Sequence, residues 1–202
     1  MKTILFQGAS ITDCGRDGDY LGDGYVGMVC KSLNALYPDL ELQIYNRGIS
    51  GDKVNDLHAR WKKDCLDLKP DILTILVGMN DVAKDVEQKF GTLIDDFEKD
   101  YRNIIDSALK IGTKIILLGI FLLPLNKEQE NWCYDLSLKI EIIQKLAYEY
   151  KIEYIPLNDL FIKLATTFPN NTFVTDGIHP TPAGHRIIAK NLLNLLLNML
   201  EC

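Results

Sequence analysis

Three residues near the two ends of the chain could act as a nucleophile, a base and an acid. Ser10 follows a short apolar run near the N-terminus, and Asp176 and His179 lie three residues apart near the C-terminus. A serine hydroxyl becomes a good nucleophile only when a positioned imidazole takes its proton, and the imidazole needs a carboxylate to fix its tautomer and stabilise its charged form. Because one tight turn could bring the Asp176 and His179 side chains together, these residues predict a Ser-His-Asp triad for covalent acyl transfer.

Two other histidines compete for the role of the base. His58 lies in a helical stretch far from any glycine-rich loop, and His185 lies in the predicted last helix, from which it could support the site from behind. Only His179 combines a carboxylate nearby in the sequence with a following proline, which restricts its backbone to extended conformations. Ser10 alone is better explained as a turn or helix-capping residue, so its assignment depends on the other segments.

Two further segments could stabilise the negative charge that develops on a substrate oxygen. Gly48 has an unhindered backbone N–H that could approach an oxyanion, and the side-chain amide of Asn80 could donate another hydrogen bond beside the N–H groups of Ser10 and Gly48. The alternative explanations are structural. Gly48 is equally well explained as a turn residue, and Asn80 could form an Asx turn.

The elements between these residues must bring them together. Short β-rich apolar runs alternate with longer helical patterns, which indicates βαβ units and an α/β fold around a parallel sheet. The third strand is apolar enough to be central and covered on both faces, and Thr181 and Pro182 resemble the N-cap and first turn of the last helix. The predicted strands are residues 3–7, 42–46, 72–77, 114–121 and 153–157, and the predicted helices are about 25–36, 53–68, 93–111, 128–150 and 183–199.

This order of elements predicts that the four segments meet. In open α/β sheets, ligands bind beyond the carboxyl ends of the strands, where loops from different strands converge. Ser10 follows the first predicted strand, Gly48 the second and Asn80 the third, and residues 176–179 come after the fifth strand. We therefore expect one site at one edge of the sheet.

The composition fits one compact domain, residues 1–202, whose 47% apolar content can bury a substantial core. A formal net charge of -6 without a basic block argues against a nucleic acid or an anionic membrane as partner. The longest cationic cluster, residues 60–63, is interpreted as a solvated helix face. No apolar run reaches the ~18 to 20 residues that a membrane span needs.

The cysteines are scattered and lack the spacing of a metal site, which predicts free thiols in a reducing compartment. They are Cys14, Cys30, Cys65, Cys133 and Cys202.

The first apolar strand leads straight to Ser10 and leaves no room for a signal peptide before it. We therefore expect a cytoplasmic protein. Acyl transfer by an activated serine requires neither a metal nor an organic cofactor.

Taken together, the four segments resemble the SGNH hydrolases, also called GDSL esterases and lipases. Ser10, Gly48, Asn80 and His179 are the four residues that give this family its name, and Asp176 matches the acid of its Asp-x-x-His motif. The order and spacing match over nearly the whole chain. The resemblance implies a flavodoxin-like, three-layer α/β/α fold with a five-stranded parallel sheet, and an esterase that works without a cofactor.

A narrower resemblance points to the bacterial intracellular acetylesterases, a branch that includes acetyl-xylan esterases. It implies hydrolysis of short-chain esters, above all acetyl esters, with an acetylated sugar as the small-molecule partner. The segments that carry it are residues 4–8, 13–16, 46–51, 59–61 and 179–185.

The residue before the nucleophile departs from the family pattern. The family usually has aspartate there, whereas this chain has Ala9, which cannot form a side-chain hydrogen bond. Another polar group could take over the missing role, the activity could be reduced, or the residue could have been changed deliberately.

Aromatic residues near the site depart from the acetylesterase pattern as well. Similar acetylesterases often carry tryptophan where this chain has Ala83 and Thr175, and fewer rings would weaken stacking on a sugar. Trp132 and Tyr134 could supply a wall from a neighbouring loop, or could serve core or interface packing.

Several alternatives stay open. A lysophospholipase or a thioesterase could use the same triad, and Ala9 would also suit a weakly active carbohydrate-binding protein on the hydrolase scaffold. A nucleotide-binding protein is disfavoured, since residues 8–10 offer neither a Gly-x-Gly-x-x-Gly nor a P-loop pattern. The last helix is read as an amphipathic helix packed on the sheet rather than a membrane-binding one, and a homo-oligomer interface there remains open.

Overall fold

The computed structural model describes residues 1–82 and 93–201. Its strands form one parallel sheet in the order β2-β1-β3-β4-β5. This confirms the predicted α/β class and the five-stranded parallel sheet. The strands are β1 (Lys2–Gly8), β2 (Leu42–Asn46), β3 (Ile72–Leu76), β4 (Lys114–Leu118) and β5 (Glu153–Ile155).

Helices of very different length connect the strands. Helix α2 and strand β2 have the bounds that the sequence predicts, because their apolar patterns are regular and turn residues flank them. Short 3-10 turns cover Leu66–Leu68 and Asn170–Thr172. The α-helices are α1 (Ser10–Asp13), α2 (Tyr25–Leu36), α3 (Val54–Ala59), α4 (Trp61–Asp64), α5 (Ile94–Lys110), α6 (Lys127–Glu130), α7 (Cys133–Tyr150), α8 (Leu157–Ala165) and α9 (Pro182–Glu201).

The helices lie in two layers with the sheet between them. Strand β3 is central, and all five of its residues are buried. Right-handed crossovers place α2 on one face and α3, α5 and α7 on the other, because the chain leaves β1 in one direction across the sheet and returns in the opposite direction. Helix α9 packs against α2, and α5 contacts both α3 and α7. The result is the predicted three-layer α/β/α arrangement.

Two predicted helices are interrupted. The predicted helix 53–68 is divided into α3, α4 and a 3-10 turn, with Arg60 between the first two at φ -99° and ψ 3°. The predicted helix 128–150 is divided into α6 and α7 at residues 131–132. At the first break the helical spacing of apolar residues continues, so the pattern does not indicate it. Residues 126–131 contain no apolar residue, so the pattern gives no signal for or against the second break.

The strand predictions are wrong mainly at their carboxyl ends. Strand β4 ends at Leu118 instead of residue 121, although residues 119–123 are buried. Strand β5 ends at Ile155, because Pro156 has no N–H to continue the ladder. Helix α8 follows at once and was not predicted.

Helix ends follow the expected local chemistry. Gly112 after α5 has φ +84°, which suits the predicted stop at a glycine. The Thr181 Oγ1 atom accepts a hydrogen bond from the Gly184 N–H at 3.2 Å, as expected for an N-cap of α9.

None of the described helices combines the length and the apolar character that a membrane span requires. Four cysteines are free thiols, while Cys202 lies outside the described part.

Candidate active site

The structure brings the predicted nucleophile, base and acid into hydrogen-bonding contact. The Ser10 Oγ atom lies 2.8 Å from Nε2 of His179, and the other ring nitrogen of His179, Nδ1, lies 2.6 Å from Oδ2 of Asp176. An ionised carboxylate only accepts hydrogen bonds, so Nδ1 donates and Nε2 is left as an acceptor. In this tautomer Nε2 can accept the serine proton.

The end of β1 and the start of α1 position Ser10. Gly8 closes the strand, and a Cβ atom there would collide with Thr12 Oγ1 and the carbonyl oxygen of Leu76, so only glycine fits. Ser10 is the first residue of α1, where a backbone N–H has no acceptor within the helix and is free to bind an anion. Ala9 is the N-cap residue, and no side chain caps this helix.

Residues 174–180 form a turn, here called the acid–base turn, that carries both Asp176 and His179. The Asp176 Oδ1 atom accepts hydrogen bonds from the N–H groups of Ile178 at 3.0 Å and His179 at 2.8 Å. Gly177 has φ +93°, a conformation that favours glycine. Thr175 donates its N–H to the His179 carbonyl oxygen at 2.8 Å and so closes the turn.

The acid–base turn also keeps Asp176 ionised. Partial loss of hydration raises the pKa of this carboxyl group, but hydrogen bonds from the His179 N–H, the His179 ring and the Ile178 N–H outweigh that effect. The pKa of Asp176 therefore lies below its ordinary value. The carboxylate stays charged and can stabilise a protonated imidazole.

Gly48 lies against α1 and Asn80 lines the same cavity as Ser10, and both already have hydrogen-bond partners. The Gly48 N–H donates to Oδ1 of Asn46 at 2.9 Å, and a Cβ atom on Gly48 would lie 2.8 Å from the carbonyl carbon of Thr12 in α1. The Asn80 Nδ2 atom donates to the carbonyl oxygen of Asp52 at 2.9 Å. An oxyanion bound by either donor would have to replace or share these partners.

A small cavity of about 20 Å³ opens beside Ser10. Its polar lining includes Ser10 and Asn80, and the rest is mostly apolar. A volume of this size holds roughly one water molecule or one methyl group. The apolar walls come from Ala9, Ile11, Leu76, Val77, Met79, Ile120, Phe121 and Ile178.

The position of the Arg60 side chain contradicts one prediction made from the sequence. Residues 60–63 were expected to form a solvated helix face, but the Arg60 side chain is only 15% exposed. Its Nε donates to Asp52 Oδ2 at 2.8 Å, and one terminal nitrogen donates to the Gly8 carbonyl oxygen at 3.3 Å. Arg60 thus links the end of β1 to Asp52, whose carbonyl oxygen holds Asn80. The prediction does hold for Lys62 and Lys63, which are exposed.

The other two histidines have structural partners. His58 Nδ1 lies 2.9 Å from Asp100 Oδ1 at the surface. His185 is buried, and its Nδ1 accepts the Tyr25 N–H at 3.1 Å while its Nε2 lies 3.4 Å from the Cys14 Sγ atom. Burial lowers the pKa of His185 to about 4, so this ring is neutral at physiological pH.

The aromatic residues considered for a sugar-binding wall differ in exposure. Trp132 is buried in the core, whereas Tyr134 is largely exposed. Ala83 lies outside the described residues. Thr175 is an exposed residue of the acid–base turn, and its Oγ1 lies 3.2 Å from the His179 carbonyl oxygen.

A sequence profile for the GDSL-like lipase/acylhydrolase family matches residues 6–187. The chain belongs to this family. It is 33% identical over 203 residues to an acetylxylan esterase from Geobacillus stearothermophilus, in an alignment that covers 95% of this chain and 92% of the relative. It is also 27% identical over 180 residues to an arylesterase from Vibrio mimicus, covering 86% of this chain and 82% of that protein.

Solved structures extend this similarity to three dimensions. A crystal structure of the Geobacillus stearothermophilus acetylxylan esterase matches with a TM-score of 0.88 and 31% identity, covering 96% of this chain and 93% of that one. Other structures of the same enzyme, described as catalytic mutants, carry alanine in place of a serine, an aspartate and a histidine. This member of the GDSL-like family is a carboxylic ester hydrolase.

Proposed function

We propose that the chain is a serine esterase that removes short acyl groups, above all acetyl, from carbohydrates. The observation that carries the proposal is the continuous contact from Ser10 Oγ through the His179 ring to the Asp176 carboxylate. The acetylxylan esterase similarity supports an acetylated sugar as the substrate, and the catalytic mutants of that enzyme replace the same three residue types.

The proposed reaction has two acyl-transfer steps. Nε2 of His179 takes the proton of Ser10 as Oγ attacks the ester carbonyl carbon, and Asp176 stabilises the resulting imidazolium. The tetrahedral intermediate then expels the sugar oxygen, which takes the proton from Nε2, and an acyl-serine remains. A water molecule, deprotonated by His179, attacks the acyl-serine and releases acetate and the Ser10 hydroxyl.

The N–H groups of Ser10 and Gly48 and the amide of Asn80 are the proposed oxyanion donors. Hydrogen bonds to a charged oxygen are roughly twice as strong as those between neutral groups. An oxyanion can therefore take over the donors that Asn46 and the Asp52 carbonyl hold in the absence of substrate. Because that gain exists only when charge develops, it favours the transition state over the ground state.

The cavity beside Ser10 supports the acetyl preference. Its volume of about 20 Å³ accommodates a methyl group. Phe121 and Ile120 in its wall are buried, so their side chains cannot easily move to enlarge it. Each additional methylene in the acyl chain would have to displace packed side chains, which costs roughly 1 to 3 kcal/mol.

An acyl-length series tests this function. We expect kcat/KM for an aryl acetate to exceed that for the propionate, which has one more methylene, by about 10- to 200-fold, and we expect acetate release from acetylated xylose. Ser10→Ala should lower kcat by about 10⁶. Ser32→Ala is the matched control, since the Ser32 hydroxyl donates within its own helix, to the Met28 carbonyl oxygen at 3.0 Å.

Other outcomes separate the alternatives. A preference for long acyl chains or thioesters would favour a lysophospholipase or a thioesterase, and sugar binding without acetate release would favour a carbohydrate-binding protein. Residual activity of Ser10→Ala within tenfold of the parent would reject Ser10 as the nucleophile. The cytoplasmic location and the homo-oligomer stay predictions.

A further inference from the structure

The acid–base turn is held from outside by the segment that follows β4. Two of its backbone carbonyl oxygens are bound by this segment. The Gly177 oxygen accepts the Leu123 N–H at 3.0 Å, and the Asp176 oxygen accepts a hydrogen bond from Nε2 of Gln129 at 2.6 Å. Gln129 lies in α6, 47 residues before Asp176. Of these two contacts, only the one from Gln129 involves a side chain, so a substitution can remove it.

Both ends of the Gln129 amide are occupied. Its Oε1 accepts the Leu125 N–H at 2.9 Å, while its own backbone N–H donates to Oδ1 of Asn126, the N-cap of α6, at 2.9 Å. A backbone N–H can only donate and a backbone carbonyl can only accept. Oxygen must therefore face Leu125 and nitrogen must face Asp176. The residue is only 7% exposed, so little solvent is available to replace either bond.

Gln129 also packs directly on the backbone of the acid–base turn. A Cβ atom on Gly177 would lie 2.5 Å from Oε1 and 2.8 Å from Cδ of Gln129. The amide therefore covers the Cα atom of Gly177 with no space for a side chain. This contact and the bond to Asp176 fix the position of two consecutive residues of the turn.

The position of the whole turn decides the triad geometry. Asp176 accepts hydrogen bonds from the backbone N–H and the ring of His179 inside the turn, so the acid and the base move together. Their internal bonds do not determine the 2.8 Å separation between His179 Nε2 and Ser10 Oγ, which joins two distant parts of the chain. That separation depends on what anchors the turn.

We propose that Gln129 is a positioning residue for the catalytic acid and base. It acts on the backbone of the acid–base turn and does not touch the substrate. This inference rests on the proposed function, because it assigns a consequence to the placement of the triad. It adds a residue from α6, a segment outside the four that carry the sequence motifs.

Two substitutions test the role of the amide. Gln129→Met keeps a similar volume but removes both side-chain hydrogen bonds, and Gln129→Glu keeps an acceptor for Leu125 but places an oxygen against the Asp176 carbonyl. We expect both to lower kcat for an aryl acetate by about 10- to 100-fold, since a displacement near 1 Å can cost that much. KM should stay within about twofold, because substrate contacts are unchanged.

Thr113→Val is the matched control. Thr113 is buried, and its Oγ1 donates to the Pro70 carbonyl oxygen at 2.8 Å, so this variant also removes one buried bond from a side chain to a backbone carbonyl. It lies just before β4, at the opposite end of the strands from Ser10. Its kcat should remain within about twofold of the parent. An equal loss of kcat in Thr113→Val would assign the Gln129 effect to general destabilisation and overturn the inference.

The His179→Ala background separates positioning from general damage. His179→Ala should lower kcat by about 10⁶. In that background Gln129→Met should have less than about threefold further effect, because no imidazole is left to be positioned against Ser10. A full additional loss would overturn the inference, and so would kcat within twofold of the parent for both Gln129 variants. Parent-like activity of His179→Ala would instead overturn the triad itself, so the two failures are distinguishable.

Discussion

Ala9 is a residue at which this chain departs from the expected family pattern, and its effect is local. It is the N-cap of α1, it is only 9% exposed, and its side chain offers no acceptor to the first N–H groups of that helix. Its carbonyl oxygen accepts the N–H groups of Thr12 and Asp13 at 3.1 and 2.9 Å, so the backbone of the turn is formed without the family's carboxylate. Ser10 follows directly, so a side-chain cap at position 9 would also restrict the motion of Ser10.

We expect Ala9→Asp to stabilise the chain and to raise kcat. An aspartate at an N-cap typically contributes about 1 kcal/mol compared with alanine, and holding the first turn reduces the motion of Ser10. Urea unfolding and aryl acetate turnover measure the two effects. Ala9→Asn is the matched control, because it caps equally well without the charge. A loss of stability in both variants would contradict the expectation and would mean that a polar group here lacks a partner.

Residue type and spacing predicted which side chains meet, within a definite limit. The contact between Ser10, His179 and Asp176 could be anticipated because each is a distinctive residue in a short motif. The contacts of Arg60 and Gln129 with the site could not be anticipated, because these side chains bind the backbone carbonyl oxygens of Gly8 and Asp176. Every residue has a carbonyl group, so the sequence carries no signal for such a partner.

At the scale of elements, the interruption between α3 and α4 coincides with Arg60, whose side chain is largely but not fully buried. Arg60 stands at the break and binds carboxylates on both sides of it, Asp52 at 2.8 Å and Asp64 at 3.1 Å. A third bond, at 3.2 Å, reaches the Oε1 atom of Gln7 in β1. The helical pattern of apolar residues runs through this point, and only these tertiary contacts explain the break. Sequence periodicity could not supply them.

We expect Arg60→Met to be strongly destabilising. It leaves the Asp52 and Asp64 carboxylates without their cation, and losing hydrogen bonds to charged groups costs roughly 1.5 to 3 kcal/mol in the free energy of unfolding. Lys62→Met is the matched control, because the Lys62 side chain is 81% exposed and its pair with Asp67 contributes at most about 1 kcal/mol. Urea denaturation compares the two. Equal midpoints would show that the guanidinium group is not structurally important.

At the scale of the whole molecule, the sheet order explains why the site lies where it does. Strand β1 is flanked by β2 and β3, so the chain crosses the sheet in opposite directions before and after β2. Ligands bind where such a reversal opens a crevice at the carboxyl ends of the strands. Ser10, Gly48 and Asn80 follow these three neighbouring strands. The alternation of elements predicted a shared edge, but not which strands are neighbours, because pairing depends on contacts between distant segments.

The packing of α9 on α2 gives the molecule a predictable response to acid. His185, on α9, is buried against α2 with its Nδ1 accepting the Tyr25 N–H. Burial, and secondarily the nearby His179, lower the pKa of His185 to about 4 from an ordinary value of 6.5. The folded state therefore holds this ring neutral at a pH at which the unfolded chain would protonate it. This contribution to stability is present above pH 6.5 and is lost as the pH falls towards 4.

We expect His185 to account for about 2 kcal/mol of the loss in unfolding free energy between pH 7 and pH 5. His185→Asn supplies an uncharged acceptor for the Tyr25 N–H, so it should remove this part of the pH dependence even if it lowers stability at pH 7. His58→Asn is the control, since His58 is exposed and lies apart from the α2–α9 contact. Urea unfolding of the three proteins at both pH values measures the difference. If the parent and His185→Asn lose equal stability between pH 7 and pH 5, the buried ring is already protonated or solvated, and the α2–α9 contact does not exclude the proton.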